Sequence, residues 1–275
     1  MPAAPAPGLA VTRALAAHVD GRSETSLDPD LRVFVSDLVR PYGLPLREDL
    51  LAEGAGHSYE EMAEGLLGAA LADGLPVDLL ILAFDSPDVR PGAPSSLALS
   101  RSCPGRPLSF AICDQGTAAA FTALRIAGEY HRTGACRRAV VVLAEQTALH
   151  YRAAAPVELP ERHCAVVLVC DEAEDREGLT IRQSPLADAG LAAEEVRAEV
   201  QALGEGAAVL LGPGLAAGPE PGGVATATPG QPFTGLWSAL AARLSGWQAE
   251  GRPVLAADLD RRLGILSTLT LRAGP

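Results

Sequence analysis

A thiol, an amide and a hydroxyl crowd one short turn of the sequence, Cys113-Asp114-Gln115-Gly116-Thr117. Where such a turn opens a helix, the free N–H groups of the first helical turn favour an anion, so a thiol or hydroxyl placed there can become a nucleophile. Cys113 and Thr117 are the candidates for that role, and Gln115 is the candidate polar group between them. Each also has a plain structural use. Cys113 can be a small buried hydrophobe, Gln115 part of the turn, and Thr117 a helix N-cap. His163 stands beside Cys164, but neighbouring residues of a strand point to opposite faces, which makes a rim histidine of it rather than half of a dyad. The other four histidines and the five cysteines show neither metal spacing nor a C-x-x-C pair, and the Gly212-Pro213-Gly214 loop lacks the lysine of a phosphate cradle. No metal and no cofactor is called for.

The elements that must hold this turn are legible on either side of it. Residues 107–113 read as a strand buried on both faces and 117–130 as a helix with a small-residue first turn, Thr117-Ala118-Ala119-Ala120. Continuous apolar runs at 77–84, 139–145 and 164–170 give three more buried strands. Ser58 followed by Glu61 is a capping box opening a helix through about residue 72, and a second short helix covers 97–101. Beyond the acidic stretch 171–177 the rhythm repeats: strand 179–184, helix 192–203, strand 207–211, a Gly/Pro-rich loop 212–223, strand 224–228, helix 233–247, then strands 252–258 and 265–272. Two similar α/β halves are the implication, with 1–57 an Ala/Pro-rich tail and edge segment, 58–174 one half and 175–275 the other.

Composition narrows the setting. The 275 residues are 48% hydrophobic, with 22 Lys plus Arg against 34 Asp plus Glu, a formal charge of −12. That apolar fraction supports a folded core, while the charge disfavours nucleic acid and anionic membranes as partners. Docking of an acidic carrier protein would need a local cluster such as Arg137-Arg138 or Arg261-Arg262. An odd cysteine number and the absence of a basic, apolar leader lead to the expectation of reduced thiols and a cytoplasmic location.

The run Val77-Asp78-Leu79-Leu80-Ile81-Leu82-Ala83-Phe84 with Pro94-Ser95-Ser96, and the stretch 110–134 ending Leu124-Arg125-Ile126-Ala127-Gly128-Glu129-Tyr130, resemble the thiolase-fold ketosynthases, in particular the beta-ketoacyl-acyl-carrier-protein synthase III group. The resemblance runs from about residue 58 to the end and implies a thiolase-like α/β fold, two halves in a layered αβαβα arrangement with a shortened second half. It implies a nucleophilic cysteine at the elbow, with a His and an Asn, or two His, stabilising an enolate oxygen. Continuing without gaps from the matching helix puts Thr117 at the elbow, no histidine in 210–214, and Gln231 at the Asn position, with Phe233 beside it as a second binding candidate. No base for the Thr117 hydroxyl lies nearby in sequence. A glutamine in place of the cysteine occurs in decarboxylating or chain-length-type relatives, and Gln115 sits two residues early for that role. The loop at 212–223 stands where relatives have material walling an acyl tunnel, which implies a lost pocket.

The expectation is therefore a catalytically degenerate ketosynthase-like subunit. It would pair, through strand 108–113, with an active ketosynthase subunit or with itself, with acyl carrier protein as a further partner, in polyketide- or fatty-acid-type biosynthesis. The alternative is an acyltransferase or decarboxylase working on acyl-thioesters through Cys113, Thr117 or Gln115. A third reading, an unrelated α/β binding protein, requires that the halves differ in topology.

Overall fold

The computed structural model describes residues 8–89, 94–173, 178–186, 188–204, 206–215 and 224–272. Parts of the segments at 1–20, 90–96, 171–177 and 212–223 thus lie outside the described residues. In chain order the first half contains β1 (Gly8–Val19), α1 (Pro29–Val39), α2 (Glu48–Glu53), α3 (Tyr59–Ala70), β2 (Leu79–Ala83), α4 (Ser95–Arg101), β3 (Leu108–Ile112), α5 (Ala118–Arg132), β4 (Arg138–Glu145) and β5 (His163–Ala173). The second contains β6 (Thr180–Pro185), α6 (Ala189–Leu203), β7 (Ala208–Leu211), β8 (Val224–Thr226), α7 (Gly235–Ala241), α8 (Leu244–Ala249), β9 (Val254–Asp260) and β10 (Ile265–Leu271).

Each half builds one five-stranded sheet, in the orders β1-β5-β4-β2-β3 and β6-β10-β9-β7-β8. The two orders are the same pattern. In both, the first and fifth strands pair antiparallel, the fifth and fourth antiparallel, and the second is parallel to the third and fourth. The 12-residue β1 pairs with β5 along its length, so residues 8–19 are a sheet strand and not a frayed tail.

Alternation explains the layering. One face of the first sheet, with Leu79, Ile81, Val141, Leu143, Val166 and Leu168, packs on α5 and α7 and through them on Leu210, Ala256 and Leu269 of the second sheet. The opposite face, with Leu80, Leu82, Val140, Val142 and Val167, is covered by Tyr59, Met62 and Leu67 of α3 and Leu99 of α4. On the far side α6 lays Ala192 and Val196 against Leu255, Ala257 and Leu259. Strands buried on both faces must be apolar throughout, which is why β2 and β4 read as unbroken runs.

Two elements depart from the sequence reading. β3 is an edge strand, and its residues are exposed or half-buried except Ile112, because a strand at the sheet margin has a neighbour on one side only. The helix predicted over 233–247 is two helices, broken at Arg243 where φ of −122° leaves the helical region.

Candidate functional site

β3 and α5 set the elbow. After Ile112 the chain turns through Asp114 and Gly116, both left-handed with φ of 61° and 52°, and enters α5 at Thr117. Aspartate and glycine are the residues that take such φ values at low cost. Ala118, Ala119 and Ala120 are all buried, and their small side chains let the first turn of α5 slide between the two sheets.

The second half meets this turn with two carboxylates. Asp258 and Asp260 end β9, and the Asp260 Oδ2 atom accepts the Thr117 backbone N–H at 2.9 Å while Oδ1 accepts Leu263 N at 2.8 Å. A side chain at position 116 would place its Cβ 1.7 Å from Asp260 Oδ2, so only glycine admits this contact. Asp258 Oδ1 accepts the N–H groups of Gly214 and Leu259 at 3.0 and 2.9 Å, and the Thr117 side chain stands near its carboxyl. Burial pushes the Asp258 carboxyl up to about 6, against the lowering effect of those hydrogen bonds. Thr117 caps α5 by position alone, since its hydroxyl makes no bond to the helix's own N–H groups. The carboxyl groups that face the elbow thus come from the other half of the chain.

At the other side stands Glu145, the last residue of β4. It is buried and accepts Phe233 N and Thr234 N, each at 2.9 Å, together with the Thr234 hydroxyl at 2.5 Å and Gln231 Nε2 at 3.0 Å. Burial raises its carboxyl above the ordinary range. These groups surround a cleft of about 480 Å³ whose lining includes Thr117, Glu145, Val157, Phe233, Asp260 and Arg262. Of the loop 212–223, Pro213 and Gly214 line this cleft, and residues 216–223 lie outside the described residues. At its rim Arg262 pairs with Asp85 at 3.2 Å.

The sequence-predicted residues scatter around this cleft. Thr117 and Phe233 line it. Gln231 does not, for its amide is held by Glu145 and by the Arg162 N–H and carbonyl. Gln115 accepts the Thr122 hydroxyl at 2.7 Å along α5. Cys113 is exposed, donates to Asp114 Oδ2 at 3.3 Å, and has its thiol pushed up by desolvation and by that carboxylate. The remaining cysteines are buried with raised thiols, Cys103 and Cys136 to about 11. Among the described residues no histidine lines the cleft and no group of three His, Cys, Asp or Glu could hold a metal ion. Among the described residues no helix is long and apolar enough to cross a membrane.

Sequence reasoning missed Glu145, Asp258 and Asp260. Their signal was available: each is an acidic residue ending an apolar run, the place where the C-terminal ends of parallel strands gather site residues.

No family model and no curated relative matches the chain. Solved structures do. The 3-oxoacyl-(acyl carrier protein) synthase III of Pseudomonas aeruginosa PAO1 aligns over 98% of this chain and 99% of its own, with a TM-score of 0.64 and 14% identity. Xanthomonas campestris OleA, with bound lauric acid and lauroyl-CoA, aligns over 96% and 99% with a TM-score of 0.64 and 14% identity. ChlB3, described as an acyltransferase, gives 97% and 98%, 0.64 and 14%. These likenesses establish the thiolase-like α/β fold, as the shared strand order of the two halves requires.

Proposed function

We propose that this chain is a ketosynthase-like subunit without a nucleophile at its elbow, acting as the non-catalytic partner of an active ketosynthase or another carrier-protein enzyme in polyketide- or fatty-acid-type biosynthesis. One observation carries this reading: the Thr117 N–H, at the entry to α5, is committed to the Asp260 carboxylate at 2.9 Å. Acyl transfer develops negative charge on the carbonyl oxygen and needs free donors there. At this elbow the oxygen would meet an anion. Thiols that burial and Asp114 hold in the protonated form offer no substitute.

Pairing is supported by β3, whose outer edge has no strand neighbour among the described residues and whose Leu108 is 55% exposed. The arginine pairs favour a sheet-edge contact over a basic docking patch. Arg137 is paired with Glu172, Arg138 is buried against Asp73 and Asp171, and Arg262 is held by Asp85. The subunit would then shape a partner's tunnel or scaffold the pair, with carrier protein reached through that partner.

The acyltransferase or decarboxylase reading draws on the closeness of the Asp258 carboxyl to the Thr117 side chain, where a carboxylate could take the hydroxyl proton. Intact-mass analysis after incubation with octanoyl-CoA and malonyl-CoA separates the two. The non-catalytic reading expects an unmodified chain. A covalent acyl adduct that disappears in Thr117→Ala or Cys113→Ala overturns it.

A further inference from the structure

We propose that Asp260 is an internal occupant of the elbow, a carboxylate supplied by the second half that holds shut a position fit for an amphiphilic carboxylate or an acyl-thioester carbonyl. The inference rests on the non-catalytic reading above and gives it a physical cause.

The occupied position is defined by geometry. Asp260 Oδ2 lies 2.9 Å from Thr117 N at the entry to the 15-residue α5, and the void left by the missing side chain at Gly116 is filled by the same oxygen. The carboxylate is presented by a rigid turn. Its Oδ1 atom accepts Leu263 N, its carbonyl accepts Gly264 N at 2.8 Å, and Arg262 of the same turn reaches across to Asp85. Above it the cleft is lined by apolar Phe233, Val157 and Leu259 and by the charged Asp85, Glu145, Glu158, Arg261 and Arg262. An anion at the floor and an apolar chain along the wall is the arrangement the cavity would give an external ligand once the internal one is gone.

Glu145 shows what a structural carboxylate looks like in the same molecule. It also ends the fourth strand of its half and crosses to the other half, but four donors from Gln231, Phe233 and Thr234 converge on it. Asp260 receives one donor from the opposite half, Thr117 N, and one from its own turn. Removing it therefore frees the elbow without dismantling the junction.

The test uses the full chain, sodium octanoate as probe, and titration calorimetry. Wild type is expected to show no saturable binding at millimolar octanoate. Asp260→Ala is expected to bind at least about tenfold more tightly, whereas Asp260→Asn, which keeps an acceptor for Thr117 N, stays closed. Asp260→Ser replaces the alanine variant if that one does not fold. A second measurement introduces a thiol. Thr117→Cys with and without Asp260→Ala is incubated with octanoyl-CoA, so that the new thiol bonds to the acyl carbon, the thioester C–S bond breaks and coenzyme A leaves as its thiol. Acylation of the double variant should exceed that of the single by at least about tenfold. A folded Asp260→Ala that binds no better than wild type, or a double variant no faster than the single, overturns the plug and leaves the non-catalytic reading standing. An acyl adduct on wild type overturns the non-catalytic reading, whatever Asp260 does.

Discussion

Asp258 and His163 make opposite demands on pH. The Asp258 carboxyl is raised by burial to about 6, so the fold prefers it protonated, and its contribution is complete below the unfolded value near 4 and lost as pH rises to about 6. The size of that loss is on the order of 3 kcal/mol. His163 is lowered to about 4 by burial and by His57, whose ring centroid is 4.9 Å away, so its contribution is present above about 6.5 and lost as pH falls toward 4. Asp258→Asn keeps the oxygen that accepts Gly214 and Leu259 N–H, and should raise the urea midpoint at pH 7 while leaving it unchanged at pH 4. His163→Gln should flatten the acid limb only. Equal slopes between pH 4 and 7 for wild type and both variants would show that neither group titrates as its surroundings dictate. Gly116→Ala adds a Cβ onto Asp260 at φ of +52° and should cost about 2–4 kcal/mol of unfolding free energy. In Asp260→Ala the same change should cost at least about 1 kcal/mol less, because the clash is gone and only the backbone strain remains. Additive losses in denaturant titration would mean that the contact does not govern the glycine.

Element by element, what was legible was what is local. The Ser58–Glu61 capping box forms as its spacing predicts, with Ser58 Oγ accepting Glu61 N and Glu61 Oε2 accepting Ser58 N at 2.8 Å. The same carboxylate also takes the hydroxyls of Ser23 at 2.6 Å and Thr25 at 2.9 Å, pinning the segment after β1 to α3. No sequence pattern announces a tie across 36 to 38 residues. Glu61→Ala should therefore cost about 2–3 kcal/mol, more than the roughly 1 kcal/mol typical of a cap alone, and Ser58→Ala should stay near the cap value. Thermal melts that rank the two variants equally would reduce Glu61 to a cap. The buried strands β2, β4 and β5 were legible for a related reason, since burial on both faces leaves no polar position to blur the run. β1 was not, because its mostly half-buried, Ala-rich second part and Ala/Pro-rich approach look like a tail or edge segment until β5 is placed beside it. The elbow turn could be read from Gly116 and the small residues that follow. Asp258 and Asp260 could not be assigned to it, since 141 and 143 positions separate them from Thr117 and only the packing of one half on the other closes that gap.

At the scale of the whole molecule, the two margins of the first sheet end differently. Beyond β1 the margin is tied to the rest of the fold, with Gln248 Nε2 reaching Val11 O at 2.9 Å and Leu179 N reaching Leu9 O at 2.7 Å. The β3 margin has no such cover among the described residues. Leu108 is exposed, Phe110 is only partly buried, and Leu97 on the adjoining α4 is 44% exposed. An unpaired apolar strand is a template for another strand, and a chain that keeps one without charges or a bulge needs a partner to cover it. Two copies meeting at β3 would run one sheet across ten strands. Light scattering should therefore report a dimer for the isolated chain, or a stable unlike pair when a ketosynthase partner is co-expressed. Leu108→Lys places a charge on that margin and should shift the isolated chain to monomer without moving its thermal midpoint by more than a few degrees beyond the loss due to dissociation. The lysine variant isolates the margin from the cleft, since none of the cleft-lining residues belongs to β3. A wild-type chain that stays monomeric at high micromolar concentration, and captures no ketosynthase on co-expression, would leave β3 a bare edge and remove the partner from the proposed function.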